Sequence, residues 1–139
     1  MNQQEDIPGQ RPTLLTILCI LTFIGSGIST ISFFAVSVMY ELFMQQFAVL
    51  YANMPDANFL LEAPRDFFLV STILSAASVA GALFMWNLRK IGFHIYTSSQ
   101  LVYLVVPLLY FGGETNPLLN ILLTALFVYL YARNIQYMR

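Results

Sequence analysis

The sequence predicts an all-α integral membrane protein: a four-transmembrane-helix antiparallel bundle, N-in/C-in, whose long first helix continues into an amphipathic extracytoplasmic extension. Three observations carry that prediction. The 139 residues are 58% hydrophobic and 9% charged, with a mean hydropathy of +0.71, whereas a soluble domain carries about 25% charged residues. Four charge-free apolar runs reach, or nearly reach, the roughly 20 residues that cross a bilayer. The few basic residues gather at one end of such a bundle. A chain this short cannot hide so much apolar surface in a soluble core, so lipid has to be its solvent.

Residues 1–12 read as a polar cytoplasmic tail, and 13–139 as a single transmembrane domain. The first run extends from Thr13 to Tyr40. As a helix it measures about 42 Å against a hydrocarbon core of about 30 Å, so it tilts or projects. The projection continues as ELFMQQFAVLYANM. There Phe43, Phe47, Leu50 and Met54 recur at helical spacing, with Gln45, Gln46 and Asn53 elsewhere, as in a helix lying at the interface; Pro55 ends it. The Glu5, Asp6 and Arg11 that precede the run lack a signal peptide's positive balance, so the run reads as a retained helix.

The second span is read from Phe67 to Leu88, the third from Ile91 to Phe111 and the fourth from Pro117 to Ile135, with an outer loop at 41–66. The fourth is short: Leu118 to Ala132 covers about 22 Å, and snorkelling of Arg133 lets the helix run on through Ile135 and Tyr137. Pro64 and Pro117 suit a first helical turn and Asn116 an N-cap. NLRKIG and GGETN read as tight turns joining spans two to three and three to four.

The turn inside MWNLRKIGFH holds the one adjacent basic pair, Arg89 and Lys90. With four spans, one face carries Arg11, Arg89, Lys90, Arg133 and Arg139, and the other carries Arg65 alone. By the positive-inside rule both termini are cytoplasmic, with Arg89, Lys90 and Arg133 as topology anchors. Glu41, Asp56, Glu62, Asp66 and Glu114 fall on the opposite face, which argues against insertion in both orientations. Trp86, Phe93 and Tyr96 flank the basic pair as an interfacial aromatic belt.

The polar residues inside the spans are neutral. Thr22, Ser26, Ser29 and Ser37 share one side of the first helix, with Gly25, Gly27 and Thr30 as further small positions. Ser71, Ser75, Ser78 and Ala82 share one side of the second, with Ala77 and Gly81 at GxxxG-like spacing. Small faces bring two helices close and let hydroxyls bond across; the sharper alternative is a polar path between the helices. Tyr96, Gln100, Tyr103, Pro107 and Tyr110 line one face of the third helix, and Pro107 should kink it. That face either bonds to neighbouring helices, with Asn120 and Thr124 of the fourth as partners, or lines a cavity for a lipid headgroup, quinone or partner helix.

His94 is the only histidine and an intramembrane candidate by type, but it lies beside the headgroup-level pair and has no carboxylate or second ligand. Cys19, the only cysteine, excludes an internal disulfide and a CxxC site, and packs as a small hydrophobe. No Asp, Glu, Lys or Arg falls inside a span, which removes the intramembrane carboxylate typical of proton-coupled transport. Motifs for metal, phosphate or nucleophilic chemistry are missing, and no basic cluster exceeds two residues, so no catalytic set, metal, cofactor or nucleic acid is expected.

The runs LTILCILTFIGSG and MWNLRKIGFHIYTSSQ resemble small uncharacterised four-helix bacterial inner-membrane proteins, over residues 13 to 138. The resemblance implies a bacterial cytoplasmic membrane and carries no activity with it. The function expected is that of a non-enzymatic membrane subunit, in contact with the lipid bilayer and assembling as a homo-oligomer or with another membrane protein. The alternatives are a small channel or transporter for a small solute or lipid, and a membrane enzyme acting on lipid or quinone. The acidic outer loop offers a further docking surface for an extracytoplasmic partner.

Overall fold

A computed structural model of the protein describes residues 11–53, 61–112 and 117–139. Met54, Pro55, Asp56, Glu114, Asn116 and the tail carboxylates lie outside the described residues, and with them the expected stop at Pro55 and cap at Asn116. The described residues form helices and no strand: α1 Thr13–Val38, α2 Tyr40–Leu50, α3 Arg65–Trp86, α4 Ile91–Phe111 and α5 Leu118–Arg133, followed by a 3-10 turn Ile135–Tyr137. Four segments, α1, α3, α4 and Leu118–Tyr137, are long and apolar enough to cross a membrane. This is the make-up of a multi-pass membrane protein.

The first span and its extension are two helices and not one. The backbone breaks at Met39 (φ −104°, ψ 36°), and α2 begins at the next residue. Glu41 in the first turn of α2 complements that helix's positive end. The half-buried rings of Phe43, Phe47 and Tyr51 stack in sequence with centroids 5.9 Å and 5.6 Å apart, while Leu42, Val49 and Leu50 are exposed. At the other end of the chain, Arg133 closes α5 and the expected continuation through Ile135 and Tyr137 is the tighter 3-10 form. Buried Asn134 stands between the two and donates from its Nδ2 to the Leu130 carbonyl (2.8 Å).

Helix α3 is the axis of the bundle and packs along both α1 and α4, whereas α5 touches α4 and α1 sparingly. Its contact with α4 is the tightest: a Cβ on Gly81 would stand 2.8 Å from the Tyr96 backbone nitrogen. Gly25 and Gly27 on α1 have nothing within 4 Å of where a Cβ would be. The first two spans pack along each other as expected, but Gly81 meets the third span, at Gly92 and Tyr96, and not the first.

Two apolar clusters cap the bundle. One joins Leu15, Leu18 and Cys19 of α1, Met85 of α3, Tyr96 of α4, and Tyr131 and Met138. The other joins Val36, Ala63, Phe67, Phe68 and Val106. Near the first, the Arg11 guanidinium lies 4.0 Å from the Trp86 ring centroid, and Lys90 N–H donates to the Arg139 carbonyl (3.0 Å). Near the second, Arg65 Nε donates to the Ser37 carbonyl (2.8 Å) and the Tyr40 hydroxyl to the Ala63 carbonyl (2.7 Å). Between the clusters, α3 buries Ser71, Ser75 and Ser78 instead of apolar side chains.

The turn between α3 and α4 ends α3 in a Schellman motif. Arg89 N–H donates to the Phe84 carbonyl (2.9 Å) and Leu88 N–H to the Met85 carbonyl (2.9 Å). Leu88 occupies the left-handed position, φ 58°, where glycine is usual.

Candidate functional site

The polar middle of the bundle encloses a partly open cavity of about 240 Å³. Helix α1 contributes Leu21, Thr22, Gly25, Ser26 and Ser29, and α3 contributes Ser75 and Ser78. Helix α4 adds Tyr96, Gln100, Tyr103 and Leu104, and α5 adds Asn120, Leu123, Thr124 and Phe127. The cavity exists because α5 is held at one end: only Tyr131 of that helix is buried, and Asn120 is exposed.

The cavity brings together Ser26, Ser29, Ser75, Ser78, Tyr96, Gln100, Tyr103 and Asn120, which the sequence had grouped as two separate pairs of helices, the first with the second and the third with the fourth. Pro107 is half-buried one turn beyond Tyr103 and stays outside the lining, and α4 runs through it as one helix. Tyr110, on the same face, is exposed and its ring packs edge-on to Phe67, 5.5 Å between centroids.

Most hydroxyls bond within their own helix. Ser75 donates to the Ser71 carbonyl (2.7 Å), Ser78 to the Leu74 carbonyl (3.0 Å), Ser29 to the Gly25 carbonyl (2.9 Å) and Ser99 to the Ile95 carbonyl (2.8 Å). Back-bonding of this kind is what a Ser or Thr does in a helix when no outside partner is nearer. Two side-chain hydrogen bonds do cross between helices from these faces, and neither joins the first span to the second as expected. Gln100 Nε2 donates to Ser78 Oγ (3.0 Å), tying α4 to α3. The Thr22 and Tyr131 hydroxyls share a hydrogen bond of 2.7 Å, tying α1 to α5. The side chains of Ser26, Tyr103, Asn120 and Thr124 make no hydrogen bond among the described residues, and all four line the cavity.

Tyr96, read as part of an interfacial belt, sits in the core. It is buried, and its ring meets Tyr131 edge-on at 4.9 Å. Trp86 and Phe93 are half-buried beside the same cluster. His94 is exposed, with its ring edge-on to that of the neighbouring Phe93 (5.7 Å), and is apart from the cavity lining. Cys19 is buried, with its Sγ 3.7 Å from the Ala82 carbonyl. Arg89, Lys90 and Arg133 are exposed. Among the described residues no three His, Cys, Asp or Glu side chains come together to hold a metal ion.

Sequence reading passed over Tyr131, Gly92 and the apolar walls Leu104, Leu123 and Phe127. Tyr131 carries no local mark: it is one of several aromatics on an apolar helix, and its role appears only when Thr22 stands opposite.

Compared with known protein families, curated proteins and solved structures, the chain matches none.

Proposed function

We propose that this is a non-enzymatic multi-pass membrane protein that acts by binding inside the bilayer, as a subunit of a homo-oligomer or of a larger membrane complex. One observation carries the reading. Four neutral polar side chains without a hydrogen bond among the described residues, those of Ser26, Tyr103, Asn120 and Thr124, converge on one cavity, beneath a fourth span that is only partly packed. A span held at one end leaves apolar and amide surface that a further helix can cover, and small or hydrogen-bonding residues suit such helix contacts. No carboxylate, imidazole, amine or thiol is among the residues that line this cavity. Native mass spectrometry from lipid nanodiscs tests the reading. The expected species is an oligomer or a complex with a second membrane protein, and a strictly monomeric, partner-free protein overturns it.

The four spans are inferred to run antiparallel in a bacterial cytoplasmic membrane, with both termini in the cytoplasm. The support is that Arg11 stacks on Trp86 and Arg139 bonds to Lys90, so that Arg11, Arg89, Lys90 and Arg139 share one end, while Arg65 bonds at the other. That is the separation the positive-inside rule asks for.

The same cavity favours a second reading, a small channel or transporter for a small neutral solute or lipid. Flux into proteoliposomes, with Gln100→Leu, Tyr103→Phe and Ser75→Leu as probes, separates the two. Transport lost in the variants favours the transporter, and no flux of ions, lipids or small solutes removes it.

A further inference from the structure

We propose that the cavity holds the head of a neutral amphiphile, one bearing carbonyl or hydroxyl groups on an apolar tail. The inference deepens the binding role proposed above and does not depend on the protein's being a subunit.

Neutrality follows from the walls. No Asp, Glu, Lys, Arg or His is among the lining residues. A phosphate, carboxylate or ammonium group would enter a low-dielectric space without a counter-charge, at a cost of several kcal/mol by order of magnitude. A wholly apolar ligand fails for the opposite reason. Ser26, Tyr103, Asn120 and Thr124 have no hydrogen-bond partner among the described residues, and Gln100 spends one amide hydrogen on Ser78. Polar groups inside a protein or a bilayer are nearly always satisfied, and every one of these side chains can donate, so this set calls for a guest that accepts.

Size and shape narrow the guest further. At about 240 Å³ the space is below the roughly 300–1,000 Å³ of pockets that swallow a whole drug-sized ligand. It takes a single ring or a short polyol, not a complete lipid. The cavity is partly open, and its lining includes Leu21 of α1 and Leu123 of α5, apolar side chains that are themselves exposed on the outside of the bundle. A tail leaving the head there stays in hydrocarbon. Tyr96, Tyr103 and Phe127 give aromatic walls, and the Tyr103 hydroxyl and the Asn120 and Gln100 amides give donors for a carbonyl.

Two sources supply this chemistry: a quinone ring on an isoprenoid chain, and the hydroxyl and ester groups of a diacylglycerol. Titration of the delipidated full chain in nanodiscs, read by native mass spectrometry, distinguishes them. The probes are decylubiquinone, dioctanoylglycerol and, as the charged counterpart, dioctanoyl phosphatidylglycerol. Saturable one-to-one binding of either neutral probe, with the charged lipid unable to displace it, is the expected result, and the probe that binds identifies the source. Gly25 lines the cavity and has open space where a Cβ would be, so Gly25→Leu should occupy part of the cavity and abolish binding while thermal stability is kept. Asn120→Ala removes an exposed side chain that supports no other residue and should weaken binding about tenfold. The inference is overturned if neither neutral probe saturates, if the charged lipid competes equally, or if Gly25→Leu binds as the parent does. A monomeric protein that binds a neutral probe would overturn the subunit reading and leave this one standing.

Discussion

A methyl group on Gly92 would stand 2.5 Å from the carbonyl oxygen of Gly81. The obstruction is backbone, which cannot rotate away as a side chain can. In a bilayer, where lipid competes equally for apolar surface, such close backbone contact is a main source of helix association. Gly92→Ala should therefore force α3 and α4 apart and cost about 1–3 kcal/mol, as overpacking does elsewhere. Gly27→Ala, with open space at its Cβ position, should cost nothing and serves as the control. Thermal unfolding in detergent compares them. Equal melting temperatures for the two variants would show that this contact is not what holds α3 to α4.

The pair also marks how far sequence reasoning reached. Length and composition made the four spans legible, because the apolar runs are bounded by prolines and charges that end helices. The break at Met39 was not legible: no Gly or Pro stands there, and continuous apolar sequence hides it. Gly81 was legible through its spacing from Ala77, but its partner was not, since periodicity on one helix says nothing about which neighbour covers it. The cavity was legible as two separate pairs of faces, on the first and second spans and on the third and fourth. Their meeting depends on α5 standing off the bundle, which no local pattern encodes.

Thr22 and Tyr131 give the second test. Their 2.7 Å hydrogen bond is among the few contacts fastening α5 to α1. Hydrogen bonds between membrane helices average about 0.6 kcal/mol and reach about 1.7. With both residues buried and the Tyr131 ring packed on Tyr96, the value should lie at the upper end. Thr22→Val and Tyr131→Phe keep the shapes and remove the bond. Each alone should destabilise, and the double variant should cost little more than the worse single one. Strict additivity in that cycle would mean the hydroxyls do not interact.

Leu88 holds a left-handed backbone, φ 58°, which costs a non-glycine residue about 1–2 kcal/mol. It stays there because its side chain is half-buried against the Met85 and Tyr131 cluster. Leu88→Ala keeps the strain and gives up the packing, so it should destabilise by about 1–2 kcal/mol. Leu88→Gly gives up the same packing but relieves the strain, and should fall near the parent. If Leu88→Gly proves the less stable of the two, strain at this turn is not a significant term.

His94 is exposed, bonded to nothing among the described residues, and apart from the cavity. His94→Ala should leave the melting temperature within about 0.5 kcal/mol equivalent of the parent, as surface changes usually do. It should also leave binding of the neutral probes unchanged. A loss of either would restore the histidine to consideration as a working group.

Arg89 and Lys90 lie in a turn that the C-terminal residues close over, through the Lys90 N–H to Arg139 carbonyl bond. Their side chains are exposed and make no ion pair among the described residues, so their charge is available to the membrane. Orientation by the positive-inside rule depends on lysine and arginine counts, and carboxylates contribute little. Replacing both by glutamine leaves Arg11, Arg133 and Arg139 against Arg65 alone, a weaker excess of the same sign. Moving the pair to the other face, by adding two lysines in the 41–66 loop of that variant, leaves three against three. If both termini are cytoplasmic as proposed, the first variant should leave them there. The second should give a mixed population when reporters fused to the C-terminus read its side of the membrane. A second variant that inserts uniformly would show that orientation is set by something other than these charges.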